Sequence, residues 1–278
     1  ANRIPVGYFL ALRYATGGHQ NRLADFPFPE MCRWVQQATL DQKRGIPFGD
    51  AWPLHPVRTG YVAAVAAANQ DGGLQHYFMA TQLEGDPHPM ELLFFDARLK
   101  PIPPTGHQPL AIAYAAHGGM IVSRTSWDKP LTDCIVFSKS GREENHEHND
   151  LGQVGFNTMG ERLIVDLGSP SSYPEDFFEP HVRWKYYNAS AFGHNVFMFG
   201  GREQRYPVRN RGDAHNIGHL SGKLTHWWHE EPKYCDLVPD DFERTEAEAE
   251  LGEAYSLTDG QLAWRRRYLK QLGPYKFR

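Results

Sequence analysis

The character of the chain changes once, at a proline-rich stretch, and this change constrains the fold more than any other feature. Before RLKPIPPTGHQPL (residues 98–110), segments such as VGYFLALRYA and PEMCRWVQQATL carry apolar residues at helical spacing. After it, short runs such as GMIVSRTSW and GQVGFNTMG are rich in Val, Ile and Phe and are bounded by Gly, Asp or Ser. The sequence therefore predicts a multidomain α+β chain, with helices in 1–100 and an antiparallel β-sandwich in 101–278.

Two segments of the second part predict paired strands. NTMGERLIVD predicts two strands joined by a tight turn at Met159-Gly160. The last residues, AYSLTDGQLAWRRRYLKQLGPYKFR, predict two more strands, after which the chain stops without a closing turn. We therefore expect a chain that is truncated relative to a complete sandwich.

Composition excludes several partners. The net charge of −4 argues against a general nucleic-acid binder, which needs excess Lys and Arg to neutralise phosphates. No apolar run reaches transmembrane length, so a membrane partner is not expected. Cys32, Cys134 and Cys235 show neither metal spacing nor a disulfide framework. Aromatic residues make up 13%, which suits either a large aromatic core or a carbohydrate-binding surface.

The motif HEHND is the strongest candidate for chemistry. If it is extended, His146, His148 and Asp150 point to the same face, and the two histidines lie about 7 Å apart. Such a pair fits a metal site, part of a catalytic site or a polar surface strand. Cupin-like sandwiches use a similar His-x-His pair with an acid to hold iron or another metal.

A second interpretation combines one histidine of this motif with distant residues. His148, Asp166 at the end of the strand RLIVD and His194 at the start of the strand HNVFMF would form a His-Asp-His set if their strands are neighbours. Zn²⁺ prefers such nitrogen and carboxylate ligands. Equally, Asp166 could be a turn aspartate before a Gly, and His194 could be a surface or capping histidine.

Three blocks in order resemble one family. HEHNDLGQVGF, ERLIVDLGSPSSY and KYYNASAFGHNVFMFGGREQ resemble the sandwich domain of the heparinase II/III-like polysaccharide lyases. VGYFLALRYA and IPFGDAW resemble the last part of the helical toroid that precedes this sandwich. The resemblance implies the C-terminal part of an (α/α) toroid followed by an incomplete β-sandwich. The toroid residue that neutralises the substrate carboxylate in this family, an Asn or His, has no counterpart in the sequence.

The resemblance implies β-elimination at a uronic acid within an acidic polysaccharide or oligosaccharide, such as alginate or a glycosaminoglycan. The enzyme must neutralise the uronate carboxylate, remove the C5 proton and protonate the departing O4. A His and a Tyr suit the proton transfers, and hydrogen-bond donors or cations stabilise the developing charge.

Residue roles follow from the same resemblance. His146 corresponds to the family's catalytic histidine, and the ligands of a structural Zn²⁺ correspond to His148, Asp166 and His194. Tyr8 fits the place of the catalytic tyrosine best and Tyr14 is its competitor, although either could be a helix tyrosine with its ring in the core.

Substrate contacts are expected from residues close to His194. Tyr187 and Tyr186 could contact sugar or support His194, while Arg183 and Arg202 could pair with the carboxylate. The family further implies a periplasmic or secreted bacterial protein, which could pair as a homodimer. Two other functions stay open at this point: a non-catalytic zinc-containing carbohydrate-binding sandwich and a cupin-like metal oxygenase.

Overall fold

The computed structural model describes residues 3–41, 44–51, 60–81, 89–114, 120–127, 135–139, 146, 148–179, 182–198, 201, 203–204, 223–227, 245–250, 266–273 and 276–277. The chain divides into two compact units: Ala1–Gly45 with Leu54–Gln108, and Ile46–Pro53 with Pro109–Arg278. The boundary expected at residues 100 and 101 stays a prediction. A short segment of the N-terminal part, Ile46–Pro53, belongs to the second unit.

In its described residues, the first unit contains five α-helices and one hairpin. The helices are α1 (Arg3–Ala15), α2 (Phe28–Gln37), α3 (Gly60–Asn69), α4 (Gly72–Ala80) and α5 (Pro89–Phe94). Strands β1 (Thr39–Asp41) and β2 (Arg44–Gly45) form the antiparallel hairpin. Among the residues that the structure describes, no helix is long and apolar enough to cross a lipid bilayer.

Helix α3 forms the centre of this unit. Its residues from Val62 to Ala68 are all buried, and its alanines allow the neighbouring helices to approach closely. The sequence DGG (residues 71–73) follows this helix and begins the next one, because the Asp71 carboxylate accepts a hydrogen bond from Leu74 N at 3.0 Å and caps α4. A Cβ atom on Gly72 would lie 2.6 Å from the carbonyl oxygen of Lys100, so only glycine fits there.

The described part of the second unit contains two antiparallel sheets. One has the order β3 (Ala111–Tyr114), β4 (Met120–Arg124), β5 (Ile135–Lys139), β6 (Val154–Thr158) and β7 (Glu161–Ile164), so that consecutive strands are neighbours. The other has the order β11 (Lys276–Phe277), β10 (Arg266–Gly273), β9 (Thr245–Glu250) and β8 (Lys223–Trp227). The mixture of helices and sheets confirms the α+β class.

Several predicted strands are confirmed. Strands β6 and β7 are joined at Met159 and Gly160, whose φ angles of 55° and 75° define the left-handed turn that suits a two-residue hairpin. Strands β10 and β11 lie in the C-terminal segment where two strands are expected.

The strand prediction is wrong at His194, and the described residues of the HEHND motif do not lie in a strand either. His146 and His148–Asp150 precede β6 in irregular structure, and Asn149 N bonds the carbonyl oxygen of Ala189 at 2.8 Å rather than a neighbouring strand. His194 does not open a strand but follows a 3-10 turn, Ala191–Gly193. Asn149 thus bonds a segment that is distant in the sequence, and His194 N donates to the carbonyl oxygen of Ala191 at 3.2 Å in a local turn, so neither place forms the ladder of a sheet.

Candidate functional site

Three side chains predicted as metal ligands lie together in the second unit. His148, Asp166 and His194 are all buried, and each offers one donor atom within 4.8 Å of the others. His194 Nδ1 lies 3.8 Å from Asp166 Oδ1, and the rings of the two histidines are 5.3 Å apart. The structure thus brings together residues that are far apart in the sequence.

Asp166 is held from two sides just beyond the end of β7. Its Oδ1 accepts a hydrogen bond from Gly168 N at 2.9 Å, as expected of a turn aspartate before glycine. Its Oδ2 accepts a hydrogen bond from the side-chain amide of Gln153. The Asp166 carboxylate therefore stabilises the turn before Gly168 and also lies beside His194.

His194 is oriented by the turn that precedes it. Its Nδ1 lies 2.9 Å from Gln153 Oε1 and its Nε2 lies 3.0 Å from the carbonyl oxygen of Asn188. A Cβ atom on Gly193 would lie 2.1 Å from the carbonyl oxygen of Tyr187. Glycine before His194 is thus a requirement of this close backbone approach.

The donor set fits Zn²⁺. Zn²⁺ holds its ligands in a tetrahedron, so that Zn–N and Zn–O bonds of about 2.1 Å place two ligand atoms roughly 3.4 Å apart. The 3.8 Å between His194 and Asp166 is close to this spacing, and the 4.8 Å bound on the whole set calls for the ligand atoms to approach by at most about 1.4 Å. Two imidazoles and one carboxylate also match the chemistry that Zn²⁺ prefers.

A second cluster forms around a carboxylate that the sequence did not single out. Asp50 Oδ1 lies 2.8 Å from His148 Nε2, and Asp50 Oδ2 lies 2.9 Å from His146 Nδ1. The guanidinium of Arg183 donates to the same Oδ2 at 2.8 Å. One carboxylate therefore joins both histidines of the HEHND motif to an arginine.

The backbone fixes Asp50 in this position. Asp50 N donates to the carbonyl oxygen of His146 at 3.0 Å, and Ser169 N donates to that of Ala51 at 3.1 Å. Gly49 has a φ angle of 56°, which permits the turn that precedes the carboxylate. The segment Ile46–Pro53 therefore belongs to the second unit through contacts made at the site itself.

The charge on Asp50 is balanced in a buried setting. Only 2% of its side chain and 5% of that of Arg183 are exposed. Burial alone would raise the pKa of Asp50, but the hydrogen bond from His148 and the charge of Arg183 outweigh it and hold the pKa below its usual value. Arg183 also lies 4.5 Å over the ring of Phe177, a cation–π contact.

His146 differs from its neighbour in exposure. Its side chain is 53% exposed, whereas that of His148 is buried. Its ring packs edge-on against Phe178 at 5.3 Å between centroids. The same carboxylate thus holds one accessible and one buried imidazole.

The other predicted residues lie in several places. Tyr8 and Tyr14 are 63% and 67% exposed on α1 of the first unit, so the alternative of a core tyrosine is wrong for both. Tyr187 is exposed, and the hydroxyl of Tyr186 bonds Asp176. The sequence predicts a substrate contact for Arg183, whereas the structure places its guanidinium on Asp50. Arg202 lies outside the described residues.

Sequence reasoning missed Asp50 and Gln153. Asp50 lies 96 residues before His146 and 133 before Arg183, so no local pattern links them. The one available signal was an acidic residue after glycine inside an otherwise apolar connection, IPFGDAW. Gln153 connects Asp166 to His194, and nothing in its sequence setting indicates this role.

No protein-family model matches the chain, and no curated protein matches it. Several solved structures do. Heparan sulfate lyase HepC from Pedobacter heparinus has 12% identity and a TM-score of 0.52, over 87% of this chain and 30% of that chain. The BT4657 gene product, a heparinase III with methylated lysines, has 12% identity and a TM-score of 0.58, over 98% and 35%. Another heparinase III has 13% identity and a TM-score of 0.55, over 95% and 36%.

The identities and coverages determine which conclusions the structural similarity supports. The chain spans about a third of the length of the structures that it matches. At 12 to 13% identity, the likeness shows the fold and supports a distant relation. Over the part that it spans, this chain therefore has a fold similar to that of heparinase-type polysaccharide lyases.

Proposed function

We propose that this chain is part of a polysaccharide lyase that cleaves a uronate-containing acidic polysaccharide, of alginate or glycosaminoglycan type, by β-elimination. The observation that carries the proposal is the half-exposed imidazole of His146, anchored on a buried carboxylate beside the His148, Asp166 and His194 set. The fold shared with polysaccharide lyases supports it. The helices then correspond to the end of an (α/α) toroid, and the two sheets to a β-sandwich.

His146 has the arrangement that a general base needs. With its Nδ1–H donated to Asp50, its Nε2 carries the lone pair and can take the C5 proton of a uronate. The electrons of the C5–H bond then form the C4–C5 double bond while the C4–O4 bond breaks, and O4 receives a proton. Tyr8 is our candidate for the second proton-transfer group.

The metal set serves structure in this proposal. His148, Asp166 and His194 would hold Zn²⁺, which would cross-link the segment before β6, the end of β7 and the turn at Ala191–Gly193. The exposed ring of Tyr187 offers a face on which a sugar ring can stack. A homodimer and a periplasmic or secreted location remain predictions.

The test is an ultraviolet assay on a panel of acidic glycans. The unsaturated uronate product absorbs ultraviolet light, and His146→Ala should lower the rate at least about 100-fold, as expected for loss of a general base. His19→Ala, at an exposed histidine of the first unit, is the matched control. Full activity in His146→Ala would refute the role of His146.

A non-catalytic carbohydrate-binding function is the second candidate. The exposed rings of Tyr187 and Phe192 suit sugar stacking without any proton transfer. Such a protein would be retarded by acidic glycan in affinity electrophoresis and would produce no absorbance change. Retardation that is lost in Tyr187→Ala, together with silence in the ultraviolet assay, would favour this candidate.

A further inference from the structure

Asp50 contacts both histidines of the HEHND motif through one functional group. Its two carboxylate oxygens contact different ring nitrogens: Nδ1 of His146 and Nε2 of His148. A neutral imidazole carries its proton on one ring nitrogen only, and the neighbour of that nitrogen decides which. A shared acceptor can therefore assign opposite tautomers to the two rings.

Arg183 determines how Asp50 can act. The guanidinium donates to Asp50 Oδ2 at 2.8 Å and is itself buried, so it supplies the counter-charge that a buried carboxylate needs. Neither histidine has to be protonated to balance the charge. An ionised carboxylate has two oxygens and about four lone-pair positions, enough to accept from two imidazoles and one arginine.

We propose that Asp50 is a positioning residue that fixes His146 as the Nδ1–H tautomer and His148 as the Nε2–H tautomer. The first leaves Nε2 of His146 as the basic nitrogen, and the second assigns Nδ1 of His148 to the metal. This inference rests on the proposed function for the role of His146. Asp50 would thereby connect the proposed base, His146, to the proposed metal ligand, His148, through one carboxylate.

The arrangement around His148 agrees with a general feature of metal sites. A metal-binding histidine commonly donates its other ring N–H to a carboxylate, which orients the ring and raises its basicity. Asp50 occupies that place for His148 and is not a member of the three-residue donor set. The carboxylate thus lies behind the ligand rather than among the ligands.

The first test is nuclear magnetic resonance of ¹⁵N-histidine-labelled protein loaded with zinc. The ring ¹⁵N shifts report which nitrogen carries the proton, and His146→Ala and His148→Ala identify the two signals. We expect Nδ1–H for His146 and Nε2–H for His148. The opposite tautomer in either ring of the wild-type protein would overturn the proposal, whatever its lyase activity.

The second test is Asp50→Asn, which keeps the shape of the side chain but leaves one acceptor oxygen for two rings. We expect at least one ring to change tautomer, zinc affinity to fall about 10- to 100-fold, and kcat to fall with KM little changed. Asp50→Glu should restore part of each loss. Asp176→Asn, an exposed aspartate of the same unit, is the matched control.

The readouts separate the two hypotheses. If the wild-type protein shows the expected tautomers but no elimination on any glycan, the proposed function fails and the role of Asp50 stands. If Asp50→Asn loses activity while both tautomers and zinc affinity are unchanged, the role of Asp50 fails and the proposed function stands. Should Asp50→Asn not fold, the wild-type tautomers and Asp50→Glu decide.

Discussion

Replacing Arg183 by methionine should destabilise the second unit strongly. The substitution keeps most of the side-chain length but removes the guanidinium from a carboxylate that is only 2% exposed. Breaking a buried ion pair from one side costs about 3–5 kcal/mol, because the remaining charge stays buried without its partner. His146 and His148 still bond Asp50, so we expect the lower end, about 3 kcal/mol.

The magnitude can be checked against an exposed pair of the same chemistry. Arg98 bonds Asp96 with Nε at 3.0 Å, but its side chain is 91% exposed, so Arg98→Met should cost far less stability than Arg183→Met. Urea unfolding followed by tryptophan fluorescence and circular dichroism measures both variants. In heating experiments, about 3 kcal/mol corresponds to a Tm lowered by roughly 6–12 °C for a unit of this size.

The double variant Asp50→Asn/Arg183→Met makes the test sharper. Removing both charges removes the uncompensated carboxylate, so the double variant should be more stable than Arg183→Met alone. If Arg183→Met costs no more than Arg98→Met, the carboxylate is not held as a buried charge and the reasoning about Asp50 is refuted.

Three further predictions concern other parts of the chain. Gly193→Ala should weaken zinc binding, measured by competition with a chelator, because its Cβ would lie 2.1 Å from a carbonyl oxygen; unchanged affinity would contradict the close approach. In a Cys134→Ser/Cys235→Ser background, Cys32 should react with thiol reagents only after unfolding, since burial raises its pKa to about 12. Burial lowers the pKa of His76, so protonation favours the unfolded chain and stability falls below about pH 6.5; His76→Gln should reduce this slope in urea unfolding.

The fold could be predicted where local chemistry decides it. The β6–β7 hairpin follows from a Met-Gly turn between apolar runs, and α3 follows from an alanine-rich segment ended by Asp and Gly. The strand expected at His194 is wrong, because the tight approach of Gly193 to Tyr187 holds that segment in a 3-10 turn. The strand propensity of HNVFMF does not indicate the contact between Gly193 and Tyr187.

The candidate site was predictable only in part. A resemblance spread over three blocks indicated His148, Asp166 and His194, and the structure places their donor atoms together. The roles of Asp50 and Gln153 could not be predicted from the sequence, because they depend on contacts made across the folded unit. The exposure of His146 and the burial of Arg183 likewise depend on tertiary packing.

The most direct measurement is the metal content of the protein purified without chelator or histidine tag, by mass spectrometry, with His148→Ala and the control His19→Ala beside it. We expect one zinc ion per chain in the wild-type protein and in His19→Ala, and loss of zinc in His148→Ala. Iron or manganese in place of zinc would favour a cupin-like oxygenase. No metal in the wild-type protein, or zinc retained in His148→Ala, would contradict the proposed metal site.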